Sequence, residues 1–228
     1  KELKEQGYKP LGIRLDSGDL AYLSKAARKM LDEAGFSDAI ICTSGDLDEY
    51  SIQSLKNQGA KIDLWGVGTR LITSDKTPSL GGVYKLVAVE ENGSLNPKIK
   101  ISDNMVKITN PGFKTIYRLY DKGGMAIADL ISLYDEEIDE TKPLTIFHPI
   151  ETWKKMTLTD FKAKRLHVKI FDKGTLVYES PAIRQIAGYA REELGTFWSE
   201  YKRIDNPHIY KVDLSDKLYN LKQKLLKA

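Results

Sequence analysis

Residues 10–75 alternate short apolar runs with amphipathic stretches. Residues 11–15 (LGIRL), 39–43 (AIICT) and 62–67 (IDLWGV) read as strands. Between the first two, Leu20, Leu23, Ala27, Met30, Leu31 and Ala34 recur at helical spacing over 19–34, and Gly35 is a natural stop. Ile52 and Leu55 mark a second helix over 48–57, closed by Gly59. Strand–helix–strand–helix–strand predicts parallel strands joined by right-handed crossovers. Runs that are apolar on both sides predict a sheet covered on both faces.

After Ser79 the pattern changes. Residues 83–89 and 98–102 read as antiparallel strands joined through Glu91-Asn92-Gly93, and 115–120 and 125–134 as a pair around Lys122-Gly123-Gly124. Residues 135–164 read as irregular, with an acidic Asp135-Glu136-Glu137 cluster. Leu166, Val168 and Ile170 alternate with polar residues, and Asp172-Lys173-Gly174 turns the chain into 175–178 as a hairpin. Ser180-Pro181 opens a long helix, with Ser as N-cap and apolar positions Ile183, Ile186, Ala187, Ala190, Leu194, Phe197, Trp198 and Tyr201. A last helix over 215–226 carries Leu218, Leu221 and Leu225.

Composition narrows the class. The chain has 228 residues, 41% hydrophobic and 29% charged, which suits one large globular domain or two modest ones. A single cysteine excludes an intramolecular disulfide and suits a reducing compartment. There is no apolar run long enough for a membrane-spanning helix, and the opening KELKEQGYKP has no apolar core of a secretory signal. The chain begins with Lys, so residue 1 is expected to be an internal position. The net charge of +3 comes from the end of the chain, where residues 201–228 hold seven Lys/Arg against three Asp/Glu. With Tyr201, Tyr210 and Tyr219 nearby, that stretch could touch nucleic acid, but nothing else forms a basic stripe. A solvated helix face is the expected reading.

Three loops carry possible chemistry, and each follows a predicted parallel strand, the edge where α/β folds bind ligands. The first is Arg14-Leu15-Asp16-Ser17-Gly18-Asp19. Asp19 suits a helix cap. Arg14 could pair with a neighbouring carboxylate, or face an anion that its planar fork matches. The second, Thr43-Ser44-Gly45-Asp46-Leu47-Asp48-Glu49, fits either a capped turn or backbone amides brought to an anion. The third, Gly66-Val67-Gly68-Thr69, suits close backbone approach to phosphate. Each loop alone is a weak signal; on successive strands all three converge on one mouth. His148, His167 and His208 are scattered without metal spacing, so no metal site is expected. Cys42 lies in an apolar strand, and Trp65, Trp153 and Trp198 read as core or interface residues.

The motifs GIRLDSGDL, TSGDLDEYSI, GAKIDLWGVGTRLIT and LGGVYKLVAVE occur in an order that resembles nicotinate phosphoribosyltransferases, type II phosphoribosyltransferases of NAD salvage. The later stretches PKIKIS, NPGFKTIYR, LVYESPAIRQI and YKVDLSDKLYNLK are similar to that family's C-terminal region. Nicotinamide-using relatives carry proline on either side of D-S-G-D and a glycine-richer third loop, so Leu15, Leu20 and Thr69 favour the nicotinate branch.

The resemblance implies an α/β fold: the last strand–helix units of a partial parallel α/β-barrel over 1–80, strands joining a sandwich-like domain over 81–117, and an α+β C-terminal domain over 118–228. It implies formation of nicotinate mononucleotide and pyrophosphate from nicotinate and phosphoribosyl pyrophosphate, with coupled ATP hydrolysis, Mg²⁺, a homodimer and a cytoplasmic setting, and no nucleic-acid or membrane partner. It assigns Asp16 as the catalytic residue and Arg14, Asp16, Ser17, Gly45, Asp46, Gly68 and Thr69 as the substrate-binding set. Arg14 would orient nicotinate, Asp16 hold the ribose hydroxyls or their metal, and the second and third loops cradle the 5-phosphate.

Family members are roughly twice as long, so this chain corresponds to their second half. The first half supplies the rest of the barrel, the base site and a histidine phosphorylated by ATP; none of His148, His167 or His208 has that histidine's context. The expectation is a portion that is inactive alone and exposes strand edges and apolar surface. Alternatives are a nicotinamide- or quinolinate-specific relative, a non-catalytic phosphate-binding module, and an interaction domain over 118–228.

Overall fold

The computed structural model describes residues 2–9, 11–151 and 153–227. It divides into two compact units, Lys1–Gly82 and Val83–Ala228.

The first unit holds α1 (Glu2–Glu5), β1 (Gly12–Leu15), α2 (Leu20–Glu33), β2 (Ile40–Thr43), α3 (Glu49–Asn57), β3 (Leu64–Trp65) and α4 (Thr69–Ile72). β1, β2 and β3 lie side by side in that order, all parallel, with Arg14 opposite Cys42 and Thr43 opposite Trp65. Both long helices start where an aspartate caps them. The Asp19 carboxylate accepts from Tyr22 N at 2.9 Å, and that of Asp48 from Ser51 N at 2.7 Å, with Ser51 Oγ accepting from Asp48 N in return. β3 is two residues long rather than six. One flank of the sheet is also open: Ile41 is fully buried, whereas Ile40 and Leu64 are 42% and 54% exposed.

The second unit begins with the hairpin β4 (Ala88–Glu91) and β5 (Ser94–Pro97), turning at Asn92-Gly93. It is displaced from the expected 83–89 and 98–102 because Glu91 pairs directly with Ser94, leaving Val83 and Tyr84 exposed outside it. β6 (Lys114–Tyr120) and β7 (Ala126–Leu133) pair antiparallel, as their alternation predicts. The stretch 135–164 is not irregular. It contains β8 (Leu144–Phe147), β9 (Lys155–Leu158) and β10 (Lys162–Arg165). After the two-residue strands β11 (Phe171–Asp172) and β12 (Thr175–Leu176) come α5 (Ile183–Gly195), β13 (Val212–Ser215) and α6 (Asp216–Leu226). The helix α5 starts later than expected. Ala182 is its N-cap, with Gln185 Oε1 accepting the Ala182 N–H at 2.8 Å, and Ser180 lies outside. It ends at Gly195, so Tyr201 belongs to a separate 3₁₀ turn, Ser199–Lys202.

The main sheet runs β10-β6-β7-β13-β8-β9. Its core face packs Leu119, Ala128, Leu130, Ile146, Leu158 and Phe161. On the other side α6 packs against β7, β8 and β13, with Tyr219 stacked on Phe147 at 4.4 Å and Leu218 fully buried. Lys222 anchors that helix by donating to Asn110 Oδ1 and Pro149 O at 2.8 and 2.9 Å. Trp153, expected in the core or at an interface, is not part of the core of this chain, where it is 75% exposed. Among the described residues no helix is long and apolar enough to cross a membrane.

One polar group fits this packing poorly. Asp213, in β13, is 1% exposed and neither carboxylate oxygen has a hydrogen-bond partner. Lys211 Nζ stands 3.7 Å away, an ion-pair contact rather than a hydrogen bond. Burial raises the Asp213 pKa, against the smaller opposing charges of Lys211 and His148. The folded state therefore holds this proton more tightly than the unfolded chain, and stability falls as pH rises above about 4, the ordinary aspartate pKa. Asp213→Asn is expected to be more stable than the parent at pH 7. The gap should shrink as pH is lowered towards 4 in urea unfolding followed by circular dichroism.

Candidate functional site

The parallel register brings the three loops together. Ser44 N and Thr43 Oγ1 both donate to Leu15 O, at 3.1 and 3.0 Å, and Gly66 N donates to Thr43 O at 2.7 Å, so the three strand ends are tied in a row. Across that row Arg14 Nη2 donates to Asp16 Oδ1 at 2.8 Å, Arg14 Nε to Ser44 Oγ at 2.9 Å, and Ser44 Oγ to Asp16 Oδ1 at 2.9 Å. This closed triangle is solvent-exposed. The hydrogen bond from Arg14, then that from Ser44, then the guanidinium charge hold the Asp16 pKa below the ordinary carboxylate value. Asp16 is thus ionised at neutral pH, with Oδ1 occupied and Oδ2 directed to no partner among the described residues.

The second loop passes close beneath. Gly45 has φ +101° and a Cβ there would sit 2.6 Å from the Asp16 carbonyl oxygen. Glycine is required on both counts. Gly45→Ala is expected to cost about 1–3 kcal/mol from backbone strain and to displace the Asp16 loop, read as a lower unfolding midpoint of the first unit. Asp46 follows in the left-handed region at φ +42°, which aspartate tolerates.

Arg14, Asp16, Gly45, Asp46, Gly68 and Thr69 line one cleft of about 270 Å³. Ser17 is exposed on the first loop and does not line it. Beyond the assigned set the cleft is lined by Ser44, Leu47, Gly66 and Arg70, of which Ser44 and Arg70 bring polar side chains. Ser44 stands one residue beyond the Leu15–Thr43 pair, and parallel register alone would have put it beside Asp16. Arg70 bridges Asp48 Oδ2 at 3.1 Å and Asp75 Oδ2 at 3.5 Å. The Asp75 pair is exposed and worth about 0–1 kcal/mol, whereas the Asp48 carboxylate is only 15% exposed, so Arg70 lines the cleft while tied to the cap of α3. Among the described residues no group of three or more His, Cys, Asp or Glu could hold a metal ion unaided. The histidines are engaged locally: His148 Nδ1 accepts from Glu151 N at 2.9 Å, His167 Nδ1 bonds Thr115 Oγ1 at 3.0 Å, and the His208 ring packs on Tyr201.

Comparison with known proteins points to one group of enzymes. A family model described as the nicotinate phosphoribosyltransferase C-terminal domain matches residues 113–222. The nicotinate phosphoribosyltransferase of Bacillus subtilis (strain 168) is 53% identical over 213 residues, covering 93% of this chain and 44% of that protein. The chain belongs to the nicotinate phosphoribosyltransferase family. The relative from Dictyostelium discoideum is 38% identical over 96% of this chain and 39% of its own length. The crystal structure of human nicotinic acid phosphoribosyltransferase superposes with a TM-score of 0.74 at 26% identity, covering 96% of this chain and 41% of that one. The chain therefore spans less than half the length of these nicotinate phosphoribosyltransferases.

Proposed function

We propose that this chain is the C-terminal portion of a nicotinate phosphoribosyltransferase and supplies the ribose- and phosphate-holding side of its active site. The complete enzyme would join nicotinate to phosphoribosyl pyrophosphate. The C1–oxygen bond breaks, pyrophosphate leaves with the electron pair, and the pyridine nitrogen forms the new bond to C1. One observation carries the reading: in a chain of this family, the Arg14–Asp16–Ser44 triangle and the Gly45 and Gly68 turns open onto the same cleft.

Each residue type suits its task. Departure of pyrophosphate leaves positive charge at C1, and the ionised Asp16 carboxylate next to the ribose hydroxyls stabilises it. Arg14, oriented by Asp16 and Ser44, faces the nicotinate ring or its carboxylate. The amides around Gly45, Asp46, Gly68 and Thr69 take the 5-phosphate, with Ser17 at the outer edge of the set. Mg²⁺ fits here as a substrate-borne ion: Asp16 Oδ2 and Asp46 would hold it together with phosphate oxygens, and it would offset the negative charge of the leaving group. ATP coupling is assigned to the part of the enzyme outside this chain, since its three histidines serve local structure.

The parallel sheet β1–β3 is read as the last units of a partial α/β-barrel, and its open flank supports that reading. The homodimer, the cytoplasmic setting and the lack of nucleic-acid and membrane partners rest on the family resemblance. Competition among nicotinate, nicotinamide and quinolinate for the complete enzyme tests the substrate. Nicotinate is expected to be consumed in preference, and preferential turnover of either other base would refute the reading.

A further inference from the structure

Among the described residues, the helix α5 is attached to its sheet along one line. Glu193 receives Arg118 Nη1 at 3.1 Å and the ammonium of Lys164, which also sits 5.5 Å from the Tyr189 ring centre. At the helix end, Thr196 O accepts from Ala126 N at 2.8 Å. Tyr189 and Glu193 are four residues apart and therefore share a face. Ile183, Ala187, Ala190 and Leu194 recur at i, i+4, i+7 and i+11, a separate apolar stripe about a quarter-turn round the helix. None of them is buried: Ile183 is 84% and Leu194 57% exposed. Arg184 and Arg191 flank the stripe on the side away from Glu193, and neither forms an ion pair among the described residues. An apolar face with unpaired cations beside it, on a helix tied down by its polar side, is built to be covered by something else.

We infer that the α5 stripe is the docking face for the upstream part of the same polypeptide, through an apolar surface bordered by carboxylates that meet Arg184 and Arg191. Two observations select this occupant over a second copy of the chain. The chain covers only 44% of its Bacillus relative, so most of such an enzyme lies outside it. A helix of 13 residues is also short. At about 1.5 Å per residue and about 10 Å across, its footprint is roughly 200 Å². A stable interface between separate molecules buries about 800 Å² per partner. A contact within one polypeptide escapes the association cost and can be that small. The small side chains of Ala187 and Ala190 at mid-stripe allow a second backbone close approach.

The inference rests on the chain being part of a longer enzyme, and its test does not read catalysis. Ala187→Cys is made in the 228-residue chain and in the complete enzyme, and maleimide labelling is followed by peptide mass, with native Cys42 as internal reference. Labelling at 187 is expected to be as fast as for a free thiol in the chain, and slower by at least about tenfold in the complete enzyme, where the site opens a tenth of the time or less. A Glu192→Cys control, off the stripe, should react alike in both. A photoreactive benzoylphenylalanine in place of Ile183 then identifies the cover. The expected product keeps the mass of a single polypeptide and joins this position to a peptide upstream of residue 1. Equal labelling at 187 in both forms, or a cross-linked product of doubled mass, would overturn the inference. Turnover measured on the same samples separates its failure from failure of the phosphoribosyltransferase reading.

Discussion

Asp16→Asn in the complete enzyme is expected to lower kcat with phosphoribosyl pyrophosphate by on the order of 10² to 10³-fold, with a smaller change in KM. In the proposed site the carboxylate stands where positive charge develops, so its charge would matter more in the transition state than in the bound substrate. Removing one preorganised electrostatic group costs about that much. The amide keeps the size of the side chain and an oxygen for Ser44 and Arg14, so the triangle should persist while the charge is lost. The pH profile sharpens the point. The Asp16 pKa lies below the ordinary carboxylate value, so the group stays ionised throughout the neutral range. Its own titration should produce an acid limb only below pH 4 or so. An Asp16→Asn enzyme with unchanged kcat would remove Asp16 from the catalytic role.

The second large effect is on stability. Arg118→Met is expected to destabilise the second unit by about 3–5 kcal/mol, the cost of stripping one partner from a buried ion pair. Arg118 forks onto Asp129 through Nε and Nη2 at 2.9 and 3.0 Å across the β6–β7 pair, and reaches Glu193 of α5 with its remaining nitrogen. The guanidinium lies 4.9 Å from the Phe197 ring centre, and Tyr210 OH donates to Asp129 at 3.0 Å. All three charged side chains are less than a fifth exposed, so the charges left behind could not be rehydrated without opening the structure. Arg118→Met combined with Asp129→Leu should recover part of the loss, because the worst orphan is then gone. Urea unfolding of the single and double variants measures both; a loss below about 1 kcal/mol for the single variant would show that the cluster is solvent-relieved.

The contrast between what the sequence discloses and what it hides follows from where each element finds its partners. β1, α2, β2 and α3 are legible because their signals are local: apolar period, an aspartate cap, a closing glycine. β10 is hidden because three of its four residues, Lys162, Lys164 and Arg165, are charged. It is an edge strand held by Glu140, Glu193 and Thr115, residues up to 50 positions away. β13 is hidden because it turns Asp213 into a buried face, the opposite of what a polar letter suggests. The helix α5 misleads in the other direction: its apolar period would suit a buried face, yet nothing among the described residues covers the stripe. In the cleft, glycines and acids advertise themselves in the motifs. Ser44 and Arg70 do not, since only register and a loop bridge carry them there.

The family resemblance carried by the loop motifs holds, and the central claim built on it is that this chain provides one side of a phosphoribosyl-transfer site that needs the other part of the enzyme. The direct measurement is formation of nicotinate mononucleotide from nicotinate and phosphoribosyl pyrophosphate, with ATP and Mg²⁺ present, by the 228-residue chain and by the complete polypeptide. Product is predicted from the complete polypeptide and none from the chain alone. Turnover by the chain alone, or none by a folded complete enzyme, would contradict the account.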